Sequence, residues 1–345
     1  GRRETRRMDR FTQFAAVTAD MALEDAGLSE DFENPERVSV FVGTGIGGLD
    51  EILRGQESLA AEGPRGLSPF FVPRLLTNLA GGTIAMRIGA QGPNHCLSTA
   101  CASATHAIGE AYRSLLLGDA DVAVAGGTEA PITPLGLAGV MVMKALSRHN
   151  EDPTRASRPF DVHRDGFVLS EGAGIVILEE LEHAKARGAR IYAEMLGYGS
   201  TCDAFHLTAP GGKGAERCMQ MALEGIEGPV DYLNTHGTST PIGDTVEIDA
   251  IREVFGDRMP HIASTKSQTG HSLGAAGAQE AIYCLLMMQN DFVGESINIE
   301  NLDEAFADVP IVRKRIDNAR LNTVMSNSFG FGGTNACLVF QRHHA

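Results

Sequence analysis

The chain has 345 residues, 43% of them hydrophobic and 21% charged, a balance that excludes a disordered chain and a length that suits two domains or one duplicated fold. A formal net charge of −15 argues against nucleic acid or an anionic membrane as the main partner, and no apolar run reaches transmembrane length. The six cysteines (96, 101, 202, 218, 284 and 337) form no CxxC pair, which points to reduced thiols in a cytosol-like compartment, not to zinc or a disulfide framework.

The first ten residues, GRRETRRMDR, carry five Arg against Glu4 and Asp9, opposite in sign to the rest of the chain. They read either as a solvated helix start or as a docking patch for an acidic partner. Residues 10–26 form an amphipathic helix that stops at Gly27, and VSVFVG (38–43) is a buried strand leading into GTGIGG. That turn lacks the Lys-Ser/Thr of a P-loop and the GxGxxG spacing, so it is weak evidence for phosphate binding. Helices are predicted over 49–62 and 76–88, then a strand up to Thr99 and a helix from Ala102 to Leu117. Strands follow at 121–127 and 174–180, a short helix in EHAKARG, and a strand at 190–199.

The second half repeats the alternation. DYLNTHG (231–237) is a strand running into a loop, and Thr240-Pro241 is an N-cap with Pro at the first position of a helix to about Phe255. HIAST (261–265) is a strand, followed by a small-residue loop and a long helix to about 289; strands at 323–327 and 336–341 end the chain. The pattern implies an α/β fold with mainly buried, mixed sheets. Segments 97–121 and 263–291 share one order: strand, Ser-Thr, small-residue turn, helix with an apolar end. An internal duplication is plausible; its Ser-Thr turns would face one another, with Cys101, Lys266 and His271 near one site.

Cys101, in STACASATHAIG, would sit at a strand-to-helix bend, where unpaired N–H groups and the helix dipole favour a thiolate. A small buried hydrophobe is the other reading at this point. His106 lies inside the same helix and reads as a packing residue. His236 in NTHGTSTP and His271 in STKSQTGHS differ, because each lies in a Gly/Ser/Thr loop after a strand, where α/β folds place reactive groups. A thiol with imidazoles nearby is the basis of covalent acyl transfer.

Four blocks, STACASA, NTHGTSTPIGD, STKSQTGHSLGAAGA and NSFGFGGTNA, resemble the β-ketoacyl-acyl-carrier-protein synthases I/II, the elongating condensing enzymes of fatty acid synthesis, and the resemblance covers essentially the whole chain. It implies a thiolase-like fold of two related halves in a five-layered αβαβα arrangement, residues 1–185 carrying the nucleophilic Cys and 186–345 the two His and the Lys, assembled as a homodimer. Members of the family begin earlier, with a strand and a Gly-rich turn, so the expectation is a fold lacking its first N-terminal strand. Cys-His-His distinguishes the elongating enzymes from thiolases, which use a second Cys, and from initiating enzymes, which use Cys, His and Asn. Subfamily signals are mixed: GTGIGG, SPFFVP and TPLGLAG resemble synthase II, whereas IYCLLMM, SINIENLDE and VMSNSFGFGG resemble synthase I.

The resemblance also implies residue roles. Cys101 takes the acyl group from acyl carrier protein, with the backbone N–H groups of Cys101 and Phe331 as oxyanion hole. His236 and His271 bind the thioester oxygen of malonyl-acyl-carrier protein and stabilise the enolate left by loss of CO2. Lys266, paired with Glu280, organises the charge. Thr238 and Thr240 hold the pantetheine arm, Phe331 acts as a gate, and Ile46, Val140 and Phe329 contact the acyl chain. Arg6, Arg7, Arg65 and Lys144 dock the carrier protein. A structural monovalent cation would lie at Asn234, Glu280, Ser326 and Asn327. No organic or redox cofactor is needed. The competing readings are a non-catalytic partner subunit of a heterodimeric ketosynthase, which would lack the nucleophile, and a Cys-His thioester hydrolase, which would not use two histidines in separate loops. The compartment expected is the cytoplasm, with mitochondrion and plastid also compatible.

Overall fold

The computed structural model describes residues 2–29 and 32–344; Gly1 and the side chains of Arg2 and Arg3 in the basic segment lie outside the described residues. The chain divides into two compact units, one of Gly1–Leu137, Glu171–Arg190 and Ser272–Ala278, the other of Ala138–Ser170, Ile191–His271 and Gln279–Ala345.

The first unit is built on a four-stranded sheet of β1 (Val38–Gly43), β2 (Asn94–Leu97), β3 (Val122–Glu129) and β4 (Gly172–Glu179), in the order β2-β1-β3-β4. β1 runs parallel to β2 and β3, and β4 is antiparallel to β3. Every residue of β1 and β3 is buried. Both read as apolar runs without alternation because both faces are covered. Val38, Val40 and Val42 pack with Phe11, Ala15, Ala19 and Leu23 of the helix Arg10–Ala26 and with Ile84 and Ile88 of the helix Leu79–Ile88. The four-residue spacing on the first of these helices gives one buried stripe. It ends where Gly27 takes φ +64 and donates to the Glu24 carbonyl at 3.1 Å, while Leu28 donates to Leu23 at 3.0 Å. The end of β1 meets the helix Ser103–Leu116, whose buried face includes Ala104, Ala107, Ile108 and Ala111.

The second unit holds a five-stranded sheet and a two-stranded ribbon. Its strands are β5 (Glu194–Cys202), β6 (Tyr232–Asn234), β7 (His261–Ala263), β8 (Phe292–Val293), β9 (Ile316–Asp317), β10 (Thr323–Gly330) and β11 (Thr334–Gln341). The sheet order is β5-β11-β10-β6-β7, with β10, β6 and β7 mutually parallel and β11 antiparallel to both its neighbours. Leu233, Ile262, Met325 and Val339 of the sheet pack with Met219 of the helix Lys213–Ala222 and with Ile248 and Ile251 of the helix Pro241–Phe255. Among the described residues no helix is long and apolar enough to cross a membrane.

The helices at 10–26 and 49–62 and the strand at 38–43 stand as expected from sequence; several other boundaries move, each for a tertiary reason. Within 231–237 the strand is Tyr232–Asn234 and gives way to the expected loop there, because the amides of His236 and Gly237 bond a carboxylate instead of a neighbouring strand. The one expected at 190–199 is displaced to Glu194–Cys202, the span that pairs with Gln341–Thr334 of β11. The helix expected over 76–88 begins at Leu79, after a separate short helix Phe71–Leu75. Helices Pro134–Val142 and Lys213–Ala222 were not anticipated. The loop expected after 265 contains a helical turn, Lys266–Thr269, and a 3-10 turn, Leu273–Ala275.

The duplicated pattern has a concrete form. The turn Ala100–Ala102 leads into the helix Ser103–Leu116, and the turn Leu273–Ala275 leads into the helix Ala276–Asn290. Each turn opens on a non-glycine residue at positive φ, +51° at Ala100 and +47° at Leu273. The two turns pack on each other. Gly274 therefore occupies, in one copy, the place that Cys101 occupies in the other.

Candidate active site

Cys101 lies in the first unit, at the centre of the turn Ala100–Ala102, and is 8% exposed. The helix begins at Ser103, one residue later than expected, after this turn. The Ser103 hydroxyl donates to the Ala100 carbonyl at 2.6 Å and accepts from the Thr99 amide at 2.9 Å. Those two hydrogen bonds hold Ala100 in a left-handed conformation, φ +51°, that costs energy for a residue with a Cβ. The thiol thus stands at the N-terminal end of a 14-residue helix, where dipole and free amides favour negative charge. His106 is buried in this helix and meets Thr99 Oγ1 at 2.8 Å, in keeping with a packing role.

His236 and His271 lie in the second unit, with their ring centroids 5.3 Å apart and nearly perpendicular. Phe167 stands edge-on to His271 at 5.1 Å, and Phe329 flanks His236 at 5.9 Å. The His236 and Gly237 amides each donate to the Glu247 carboxylate at 2.8 Å, which turns the chain out of β6 and aims the imidazole. His271 is fixed by its backbone, donating to Val168 at 2.8 Å and accepting from Ser170 at 3.0 Å. Burial, and next the positive charge of Lys266, push both imidazoles well below the usual histidine range. Both rings are therefore neutral at pH 7. Their Nδ1 atoms are buried without a hydrogen-bond partner.

Lys266 and Glu280 form a buried ion pair, 1% and 3% exposed at the side chain. Burial raises the Glu280 carboxyl to about 7, against the pull of Lys266. Glu247, also raised to about 7 by burial, accepts in addition from Asn327 Nδ2 at 3.2 Å. Thr238 and Thr240 meet through their hydroxyls at 3.2 Å, and Thr240 Oγ1 accepts from the Gly243 amide, capping the helix Pro241–Phe255 as expected. Phe329 and Gly330 end β10, while Phe331, 40% exposed, sits on the turn before β11. Ile46 is exposed in the first unit and Val140 half-buried in the second.

The expected cation ligands all belong to the second unit, where Asn234 pairs with Ser326 across β6 and β10. Ser326 Oγ and Glu280 Oε2 are buried oxygens without partners, the hard donors that such an ion takes; the Asn327 side chain is already engaged by Glu247 and by Cys337 Sγ at 3.1 Å. Arg6, Arg7, Arg65 and Lys144 are exposed, and the Arg7 guanidinium lies 5.3 Å from the Phe70 ring centre.

Glu247, Asp244 and Glu129 are among the buried acids that escaped the sequence reading. Glu247 and Asp244 sit on the same face as Ile248 and Ile251, and two acids at buried helical spacing were the signal available. Asp244, raised by burial to about 6, accepts from the Ser239 and Phe160 amides at 3.1 Å each. Glu129 ends the otherwise apolar β3. Its carboxylate accepts from the Gly45 and Ile46 amides and from Thr44, so the anion that meets the Gly-rich turn is the protein's own.

Two family models match the chain: "Beta-ketoacyl synthase, N-terminal domain" over residues 1–184 and "Beta-ketoacyl synthase, C-terminal domain" over residues 192–300. The chain is 51% identical to 3-oxoacyl-[acyl-carrier-protein] synthase 2 of Rhizobium meliloti, covering 99% of this chain and 83% of that protein. To 3-oxoacyl-[acyl-carrier-protein] synthase 1 of Haemophilus influenzae it is 47% identical, over 98% of this chain and 85% of the other. A solved beta-ketoacyl synthase from Burkholderia phymatum superposes with a TM-score of 0.93 at 35% identity, over 100% of this chain and 85% of that one. With its mixed α/β sheets and its repeated strand–turn–helix, the chain belongs to the beta-ketoacyl synthase family and has that family's thiolase-like fold.

Proposed function

We propose that the chain catalyses the decarboxylative condensation of an acyl group with malonyl-acyl-carrier protein, giving 3-oxoacyl-acyl-carrier protein and CO2 in fatty acid elongation. The observation that carries the reading is the pair of neutral imidazoles, His271 buried and His236 half-buried, with ring centroids 5.3 Å apart beside the charge of Lys266. Neutral imidazoles donate N–H to an enolate oxygen and do not compete with it for a proton.

In the first stage the Cys101 thiolate attacks the acyl thioester carbonyl. Its carbon–sulfur bond forms, the bond to the pantetheine sulfur breaks, and that sulfur leaves as thiolate and takes a proton. The amides of Cys101 and Phe331 serve the oxyanion; one such donor is worth about 3 kcal/mol. In the second stage the malonyl C–C bond to the carboxylate breaks, CO2 leaves, and the electron pair is held as an enolate by His236 and His271. The enolate carbon attacks the acyl-Cys101 carbonyl and releases the thiolate. Lys266, balanced by Glu280, keeps the imidazoles neutral. Thr238 and Thr240 bind the pantetheine arm, Phe331 gates entry, and Ile46, Val140 and Phe329 contact the acyl chain. The halves 1–185 and 186–345 divide the work between nucleophile and enolate stabilisation. A monovalent cation, where bound, takes Asn234, Glu280, Ser326 and Asn327 and neutralises charge there.

Acyl carrier protein is the partner, docked by Arg6, Arg7, Arg65 and Lys144. A homodimer is supported by the edge position of β2, whose Asn94 and His95 are exposed. Six cysteines outside any disulfide suit a cytoplasmic setting. Incubation with a long-chain acyl-carrier protein, read by intact mass, is expected to add one acyl group to Cys101 and none to Cys101→Ala. An adduct on Cys96 or Cys202 would overturn the assignment of the nucleophile.

A further inference from the structure

Glu129 is fully buried, and its two carboxylate oxygens receive four hydrogen bonds. Oε2 accepts from the Gly45 amide at 2.7 Å and the Gly274 amide at 2.9 Å. Oε1 accepts from the Ile46 amide at 3.0 Å and the Thr44 hydroxyl at 3.1 Å. All four partners are donors, so the ionised carboxylate alone satisfies every bond; a protonated one would turn an O–H toward a donor. Burial works the other way and raises its pKa, with the donors opposing.

The two segments it ties together both touch the turn that carries Cys101. Gly45 accepts from the Ser98 hydroxyl at 3.2 Å, and a Cβ on Gly45 would lie 3.6 Å from the Ala100 carbonyl oxygen. The turn Leu273–Ala275 packs directly on Ala100–Ala102. Nothing larger than glycine fits at its centre. A Cβ on Gly274 would lie 2.4 Å from the Gly45 nitrogen and 2.5 Å from a Glu129 oxygen. The carboxylate is therefore the fixed anion around which the loop after β1 and the second copy of the turn are assembled.

We propose that Glu129 is a positioning residue for the reaction: by anchoring Thr44–Ile46 and Gly274 it holds the Cys101 turn in the geometry for attack on the thioester. The proposal rests on the reading of Cys101 as nucleophile. Glu129→Gln would turn an NH2 group toward two of the four donors, and those segments would have to move apart. A displacement of about 1 Å at a reacting centre costs on the order of a hundredfold in rate. Glu129 itself is buried and meets no carrier-protein surface, so the loss falls on the maximal rate and not on substrate binding.

The test is single-turnover acylation of Cys101 followed by intact mass over a range of acyl-carrier-protein concentrations, with wild type and Cys101→Ala alongside. Glu129→Gln is expected to slow the saturated rate by about tenfold or more while the half-saturating concentration moves less than about twofold. Thr44→Val, which removes one of the four bonds and keeps the shape, is expected to slow it about threefold. A folded Glu129→Gln acylated at the wild-type rate, or impaired only in half-saturation, overturns the proposal. Should Glu129→Gln not fold, Thr44→Val decides, and a wild-type rate there overturns it equally. Failure of the wild type to be acylated would instead bring down the functional reading on which this one stands.

Discussion

At the scale of single residues, the charge state of His236 and His271 follows from what surrounds them. Burial removes water from each ring, and Lys266 adds a positive charge nearby, so both hold a proton only well below the usual value of 6.5. Lowering the pH through that value leaves them neutral. Release of CO2 from malonyl-acyl-carrier protein is accordingly expected to stay flat between about pH 6 and about pH 8. An inflection at the ordinary histidine value would contradict the neutral-donor role. The same residues set a stability balance. The unfolded chain takes up protons near pH 6.5 that the folded rings refuse, so their contribution is lost as the pH falls below it. Glu247 and Glu280, raised to about 7, act in the opposite sense: their contribution is full below the unfolded value of 4.5 and is lost as the pH rises through about 7.

At the scale of elements, the contact between the end of β1 and the start of the helix Ser103–Leu116 governs where Cys101 sits. A Cβ on Gly43 would lie 2.3 Å from the Ser103 carbonyl carbon and oxygen and 2.5 Å from the Ala104 nitrogen. These are backbone atoms at the head of a helix, with no rotamer to change. Gly43→Ala is expected to cost about 2 kcal/mol or more, read as a lower urea midpoint, and to slow acylation of Cys101. Gly139→Ala, where a Cβ meets nothing within 4 Å, serves as the control and is expected to change stability by no more than about 0.5 kcal/mol. Equal midpoints for the two variants would show that the head of the helix yields freely.

At the scale of the whole molecule, charge sets a problem for recognition. The chain carries −15, and the partner proposed for it is acidic, so long-range repulsion slows encounter unless positive groups lie where the carrier lands. Arg65 and Lys144 are exposed and form no ion pair among the described residues, unlike Arg74, which binds Glu51 at 3.1 Å. Lys144→Glu and Arg65→Glu are expected to raise KM for carrier-bound substrates by about three- to tenfold and to leave transfer from a small uncharged thioester unchanged. Rim charges act through association rate, so the effect should shrink in high salt. Equal damage to both substrates, or indifference to salt, would assign these residues to the fold.

By itself the sequence determined what short-range chemistry decides. The helix Arg10–Ala26 and its Gly27 stop, the buried run of β1 and the Thr240-Pro241 start were all legible, because caps, φ preferences and apolar spacing act within a few residues. Cys101, His236, His271 and Lys266 stood out because they lie in motifs whose neighbours are small and whose order along the chain matches one family. Only the tertiary structure decided where β5 and β6 end, since cross-strand register and the Glu247 carboxylate set those limits. It alone revealed Glu129, whose partners lie 84 and 145 residues away at Gly45 and Gly274. A buried charge is tolerated only where folding brings donors to it, and that compensation leaves no local trace in the chain.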